Sequence, residues 1–290
     1  MKFTVPEGYE GISAKSFLRR NCCVSARLLA RLKRTENGIL KNGSPIIVTE
    51  ILRAGDEIEL AELSEENSIT PVDLPIEIVY EDDCFIACNK PFGMPVHPTH
   101  EHQLDTLANA VAFYAKSRGE SYPFRAVNRI DRDTTGLVLC AKNKYAAFAV
   151  GSSVKKIYTA LCEGILTTDG TIDRPIALLP GHNIQRTAAE KGSRAVTHYK
   201  VIRTENDHTL IDCYLETGRT HQIRVHFSSI GHPLAGDDMY GGSKKYFDTQ
   251  CLHCREISFI HPVTQKYTVI SCKNEDWLYR LHEKIKSSVG

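Results

Sequence analysis

Apolar residues follow three different rhythms along the chain. In the first 61 residues helical spacing gives way to short β spacing. In "SARLLARLKR", Leu28, Leu29 and Leu32 share one helix face and Ser25 stands where an N-cap belongs. "GISAKSFLRR" spaces Ile12, Phe17 and Leu18 for another helix. "GILKNGSPIIVTEILRAGDEIEL" then alternates short β runs with turns at Asn42-Gly43 and Ala54-Gly55-Asp56. Residues 62–75, "ELSEENSITPVDLP", are polar, acidic and carry two prolines, which predicts a linker. From residue 76 to residue 290 β runs such as "GLVLCAK", "KIYTALCEG", "HYKVI" and "LIDCYLE" alternate irregularly with helical ones. That irregularity predicts an α+β domain with a mixed, largely antiparallel sheet flanked by helices and loops, behind a small α/β module at residues 1–61.

Charge sharpens this division. The net charge is only +1, yet between Gly11 and Lys41 there are eight basic residues and one acid, Glu36. Arg27, Arg31 and Arg34, spaced by four and three, are predicted to share a helix face away from the leucines. Between Glu62 and Asp83 there are eight acids and no base. A near-neutral whole thus carries a positive module, the electrostatic footprint of a polyanion binder. No stretch approaches the ~20 apolar residues of a membrane helix. The N-terminus has no apolar signal core, so a cytoplasmic protein without a membrane partner is expected. Ten scattered cysteines, most in apolar runs, are expected as free thiols. "CLHC", Cys251 to Cys254, would need a second ligand pair to hold zinc, and only Cys84 and Cys88 offer comparable spacing. The histidines show no H-E-x-x-H pattern and the glycines no phosphate loop, so no metal site is expected from the residues.

Two segments concentrate chemistry. "NRIDRDTTG" sets Asp131 and Asp133 among Arg129 and Arg132, just ahead of an apolar run. Asp133 is expected to bond the backbone of the Thr134-Thr135-Gly136 turn. In "ETGRTHQIRVHFSSIGHPLAGDDMYGG", Thr217 or Thr220 is expected to cap a helix that runs to about Ile230 and ends at Gly231. Ile223, Phe227 and Ile230 form its core stripe; His221, Arg224 and Ser228 recur on another face. An arginine at the edge of a core helix needs a carboxylate. A purely structural aspartate or Asp131 itself can fill that place.

In this order, "YEDDCFIACNKPFGMPVHP", "FRAVNRIDRDTTGLVLCAKN", "KKIYTALCEG", the 216–242 segment and "LHCREISFIHPVTQK" resemble the successive motifs of RluA-type pseudouridine synthases over nearly all of residues 76–278. The basic module resembles the ribosomal-protein-S-four-type RNA-binding domain over about fifty residues. The resemblance implies the pseudouridine synthase fold and a monomeric enzyme that isomerises uridines in structured RNA, ribosomal RNA of the large subunit first and transfer RNA second. It implies Asp131 as the catalytic carboxylate, with Arg224 keeping it ionised. Arg129 would fill the gap left by an extruded base, Tyr158 would stack on that base and take its carbon-5 proton, and Ile223 would wall the pocket. Arg27, Arg31 and Arg34 would hold RNA. The family's usual H-R-L-D reads N-R-I-D here, so Asn128 implies an orienting position rather than a proton carrier. A noncatalytic RNA-binding protein of the same fold would not require Asp131, Tyr158 and Arg224 together. A hydrolase using "GHPLAGDD" would lack a metal ligand set.

Overall fold

The computed structural model describes residues 2–22, 24–61, 68–273 and 277–289. The first elements are strand β1 (Lys2–Thr4), helix α1 (Ala14–Ser16), helix α2 (Ala26–Leu32), and strands β2 (Ile39–Lys41), β3 (Ser44–Pro45) and β4 (Glu57–Leu60). The strands form an antiparallel sheet in the order β1-β4-β2-β3. Ser25 caps α2 as expected, its hydroxyl accepting the Leu28 N–H at 3.1 Å. Leu28, Leu29 and Leu32 are buried against Phe17, Leu18, Ile39 and Ile58. Two expectations change. The helix predicted in "GISAKSFLRR" is one α-turn that widens into a π-helix over Phe17–Asn21. Helix α2 ends at Leu32, so Arg34 lies in the turn beyond it, while Arg27 and Arg31 stay on the helix.

The second half of the predicted linker is not a free tether. Residues 62–67 lie outside the described residues, but Val72 N–H donates to the Asn109 carbonyl and Asn109 Nδ2 donates to the Thr70 carbonyl at 2.8 Å. Leu74 and Ile76 then pack onto the core of the larger domain. Apolar residues at alternate positions give this polar stretch a buried side, which composition averages away.

The larger domain runs through β5 (Glu77–Glu81), β6 (Phe85–Lys90), α3 (Leu107–Ser117), β7 (Thr135–Ala141), α4 (Lys144–Val150), β8 (Lys155–Glu163), β9 (Gly170–Asp173), β10 (Ile176–Leu178), β11 (Arg186–Ala188), β12 (Val196–Glu205), β13 (His208–Leu215), α5 (Gln222–Ser229), β14 (Leu252–Ile260), β15 (Tyr267–Ser271) and α6 (Trp277–Val289). A nine-stranded sheet has the order β5-β6-β7-β14-β8-β13-β12-β9, with β15 also on β14. All its pairings are antiparallel except β7 with β14. Both faces are covered, which explains the continuous apolar run in "GLVLCA". Leu137, Leu139 and Ala141 enter one core, while Val138 and Cys140 enter the other. The two modules touch through Tyr145 of α4, buried among Phe3 and the N-terminal leucines. No helix among the described residues is long and apolar enough to cross a membrane.

Candidate active site

The loop that carries Asp131 is held from three sides. Asn128 is buried, and its side-chain amide imitates a strand peptide: Nδ2 donates to the Leu137 carbonyl at 3.1 Å and Oδ1 accepts the Leu139 N–H at 2.8 Å. This fits the orienting role expected at that position. Ile130 packs against both cores. Beneath the loop lies Lys90, fully buried, whose ammonium donates to the Arg132 carbonyl at 2.7 Å and the Pro91 carbonyl at 2.9 Å. Burial pulls the Lys90 pKa down to about 7, against the opposing charges of Asp133 and Asp131. Asp133 departs from expectation. Its carboxylate pairs with the adjacent Arg132, at 2.9 and 3.0 Å, rather than with turn backbone. The turn closes instead through the Thr134 N–H and the Asp131 carbonyl.

Gly136 follows the loop with φ +104, and a β-carbon there would lie 2.3 Å from the Cys254 carbonyl oxygen. Only glycine lets β7 approach β14 at this register, where Gly136 opposes Cys254. That approach sets the distance between the Asp131 loop and the centre of the sheet.

Helix α5 supplies the opposite wall. Neither Thr217 nor Thr220 caps it. The N-cap is His221, left-handed at φ 57 and ψ 21 and without a side-chain capping bond. Gln222 stabilises the entry instead, its Oε1 accepting from the Thr217 hydroxyl at 2.8 Å and the Arg219 N–H at 3.0 Å. Its Nε2 donates to the Val196 carbonyl and the Thr197 hydroxyl. Gly231 ends the helix in the left-handed region, as expected. Ile223 and Phe227 are buried on the core stripe.

Arg224 resolves the choice between a structural aspartate and Asp131 by taking both. Its Nε and Nη2 grip Asp237 at 2.7 and 2.8 Å, and Nη1 reaches Asp131 Oδ2 at 3.3 Å. Burial draws the arginine's pKa down, but the hydrogen bonds and charge of Asp237, then the charge of Asp131, raise it overall. Asp237 is almost wholly buried, whereas the Asp131 side chain remains 27% exposed. The guanidinium also lies over the Tyr240 ring, 4.9 Å from its centroid.

Arg129, Asp131, Tyr158, Ile223 and Arg224, all singled out from sequence, line one cleft together with His221 and Arg219. Arg129 is exposed at its edge. Tyr158 lies on β8 between Cys213 and Cys254. Burial first, then Cys254 and Asp131, push its hydroxyl well above the ordinary phenol range. At neutral pH it is a phenol, a weak proton acceptor. Arg27, Arg31 and Arg34 belong to the N-terminal module and do not line the cleft. Sequence reasoning did not anticipate Asp237 and Tyr240 as partners of this wall, although "GDDMYGG" stood in view. Among the described residues Asp82, Cys84 and His261 group their ligand atoms closely enough for a metal ion. His261 Nδ1 already accepts two backbone N–H groups, from Val263 and Thr264, which commits the Nε2 proton toward Asp82 at 3.1 Å. With its one ring proton on Nε2, this neutral imidazole keeps no lone pair there for a metal.

A sequence profile described as RNA pseudouridylate synthase matches residues 84–229. The chain is 38% identical over 238 residues to the "uncharacterized RNA pseudouridine synthase YhcT" of Bacillus subtilis, covering 79% of this chain and 78% of that protein. It is 41% identical over 218 residues to the "ribosomal large subunit pseudouridine synthase D" of Zymomonas mobilis, covering 68% of each. Among solved structures, human RNA pseudouridylate synthase domain containing 1 shares the fold, with a TM-score of 0.57 at 24% identity over 69% of this chain and 84% of that one. The chain therefore belongs to the RNA pseudouridylate synthase family, and its activity is the isomerisation of uridine to pseudouridine in RNA.

Proposed function

We propose that the enzyme modifies uridines of large-subunit ribosomal RNA, with Asp131 as its catalytic carboxylate and no cofactor. The observation that carries this is the juxtaposition of Asp131, its charge partner Arg224 and the Tyr158 ring in one cleft. The reaction breaks the bond from the ribose anomeric carbon to uracil N1 and forms one to C5. Carbon 5 loses a proton and N1 gains one, so the step is redox-neutral and hydrolyses nothing. An ionised carboxylate at the sugar suffices, as nucleophile or as base. Arg224 stabilises its negative charge from behind, and Asp237 holds Arg224 in that position.

Extruding the uridine costs a few kcal/mol. Tyr158 offsets part of this by stacking on the uracil, and Ile223 walls the pocket. Arg129, at the cleft edge, fills the gap left in the RNA stack. The N-terminal module, a ribosomal-protein-S-four-type domain in this reading, grips structured RNA through Arg27, Arg31 and Arg34. Relatives named for the ribosomal large subunit support the choice of substrate. Mapping pseudouridines in cellular RNA with and without the gene tests it. Sites lost from large-subunit ribosomal RNA are expected; losses confined to transfer RNA would overturn the target, and no losses at all would fit a noncatalytic binder.

A further inference from the structure

Both polar contacts to the Asp131 carboxylate among the described residues fall on the same oxygen. Arg224 Nη1 lies 3.3 Å and His221 Nε2 3.8 Å from Oδ2. At 3.8 Å the histidine contact is an ion–dipole one rather than a hydrogen bond. The imidazole is not free to turn. Its Nδ1 lies 2.7 Å from the Tyr240 hydroxyl, which also accepts the Arg186 N–H at 3.0 Å. The arrangement that leaves no donor idle has Tyr240 accept from Arg186 and donate to His221 Nδ1. That fixes the remaining ring proton on Nε2, facing Asp131. The two rings meet edge to face, 5.6 Å between centroids.

The backbone supports the same assignment. His221 occupies the left-handed region at a helix N-cap without making a capping bond, a sparsely populated conformation for a residue other than glycine. Four charged groups bear on the ring: Asp131 and Asp237 favour its cation, while Arg224 and Arg186 oppose it. Burial outweighs them and keeps the imidazole neutral, a single-proton donor rather than a competing cation.

We propose that His221 is a positioning residue that, with Arg224, pins Oδ2 of Asp131 and so reserves Oδ1 as the oxygen that meets the ribose. This rests on the reading of Asp131 as the catalytic carboxylate. Tyr240 is the part of the device that sets the tautomer.

The test compares His221→Gln, His221→Asn and Tyr240→Phe in the full-length enzyme. Each is assayed for pseudouridine formation on total RNA from cells lacking the gene, at single turnover for the rate and in the steady state for KM. Glutamine places an amide N–H near the Nε2 position, whereas the shorter asparagine cannot. Asparagine tolerates the left-handed backbone better. Stability and activity therefore run in opposite orders. His221→Asn should lose about tenfold or more in rate and melt at or above the temperature of His221→Gln. His221→Gln should keep about a third of the wild-type rate. Tyr240→Phe, which leaves the strained backbone untouched, should lose about threefold, with KM for the RNA unchanged in all three. Equal losses in the two His221 variants, or losses that appear in KM alone, would overturn the proposal. Asp131→Asn in parallel separates the two claims. If it retains activity the underlying reading has failed; if it is inactive while His221→Asn matches wild type, only the role of His221 has failed.

Discussion

Arg224 gives Asp237 two short hydrogen bonds and Asp131 a single longer one of 3.3 Å. The structural pair is thus the tighter, and the contact to the exposed carboxylate is what remains of the guanidinium's reach. A planar fork is needed for both at once, which lysine lacks.

Removing the buried member of this pair should be costly. Asp237→Ala leaves a buried guanidinium without its main partner, a loss of about 3–5 kcal/mol in stability. Urea unfolding checks it. A cost under about 1 kcal/mol would mean that the pair does not hold the wall.

The approach of β7 to β14 makes a second prediction. Gly136→Ala puts a β-carbon 2.3 Å from the Cys254 carbonyl in a backbone conformation that side chains rarely adopt. Destabilisation of about 2 kcal/mol or more is expected. Gly218→Ala, with nothing within 4 Å of its β-carbon, serves as the neutral control for stability.

Three histidines, His226 buried and His97 and His221 half-buried, set a pH dependence. Burial lowers the pKa of His97, His221 and His226 below 6.5 in the folded protein. The unfolded chain then binds protons more readily, so the contribution of these rings is full above about 6.5 and is lost as pH drops toward the folded values. Urea midpoints should decline between about pH 7.5 and 5.5, and a flat profile would contradict the burial of these rings.

Much of this was legible in the sequence, for identifiable reasons. The alternation in "GLVLCA" and the leucine face of α2 are local patterns, and local patterns survive in the finished fold. The cleft residues were legible because their motifs recur in a fixed order along the chain. What stayed hidden depends on distant partners. Asp237 lies 13 positions after Arg224, past the end of α5 and a turn, and no periodicity announces it. The entry to α5 is braced by Gln222, which accepts from the Thr217 hydroxyl and the Arg219 N–H, and not by a threonine at the N-cap. Asp133 took its neighbour Arg132 instead of backbone, a choice between two local partners that spacing alone does not make. The polar tether at 68–75 docks because α3 presents Asn109 to it.

The N-terminal face gives a salt-dependent prediction. Neutralising Arg27, Arg31 and Arg34 together should weaken RNA binding and reduce the slope of log affinity against log salt by about 2–3. Because Arg34 sits beyond the end of α2, its single substitution should be separable from the Arg27 and Arg31 pair. An unchanged slope would leave the basic face as solvated surface.

The central claim is that one carboxylate carries the chemistry, and Asp131→Asn tests it most directly. The substitution keeps size and hydrogen bonding but removes the charge that Arg224 faces. With purified enzyme and total RNA from cells lacking the gene, pseudouridine measured by mass spectrometry after digestion should fall to background, while RNA binding and the melting temperature stay close to wild type. Pseudouridine formed by the variant at the wild-type rate would contradict the account.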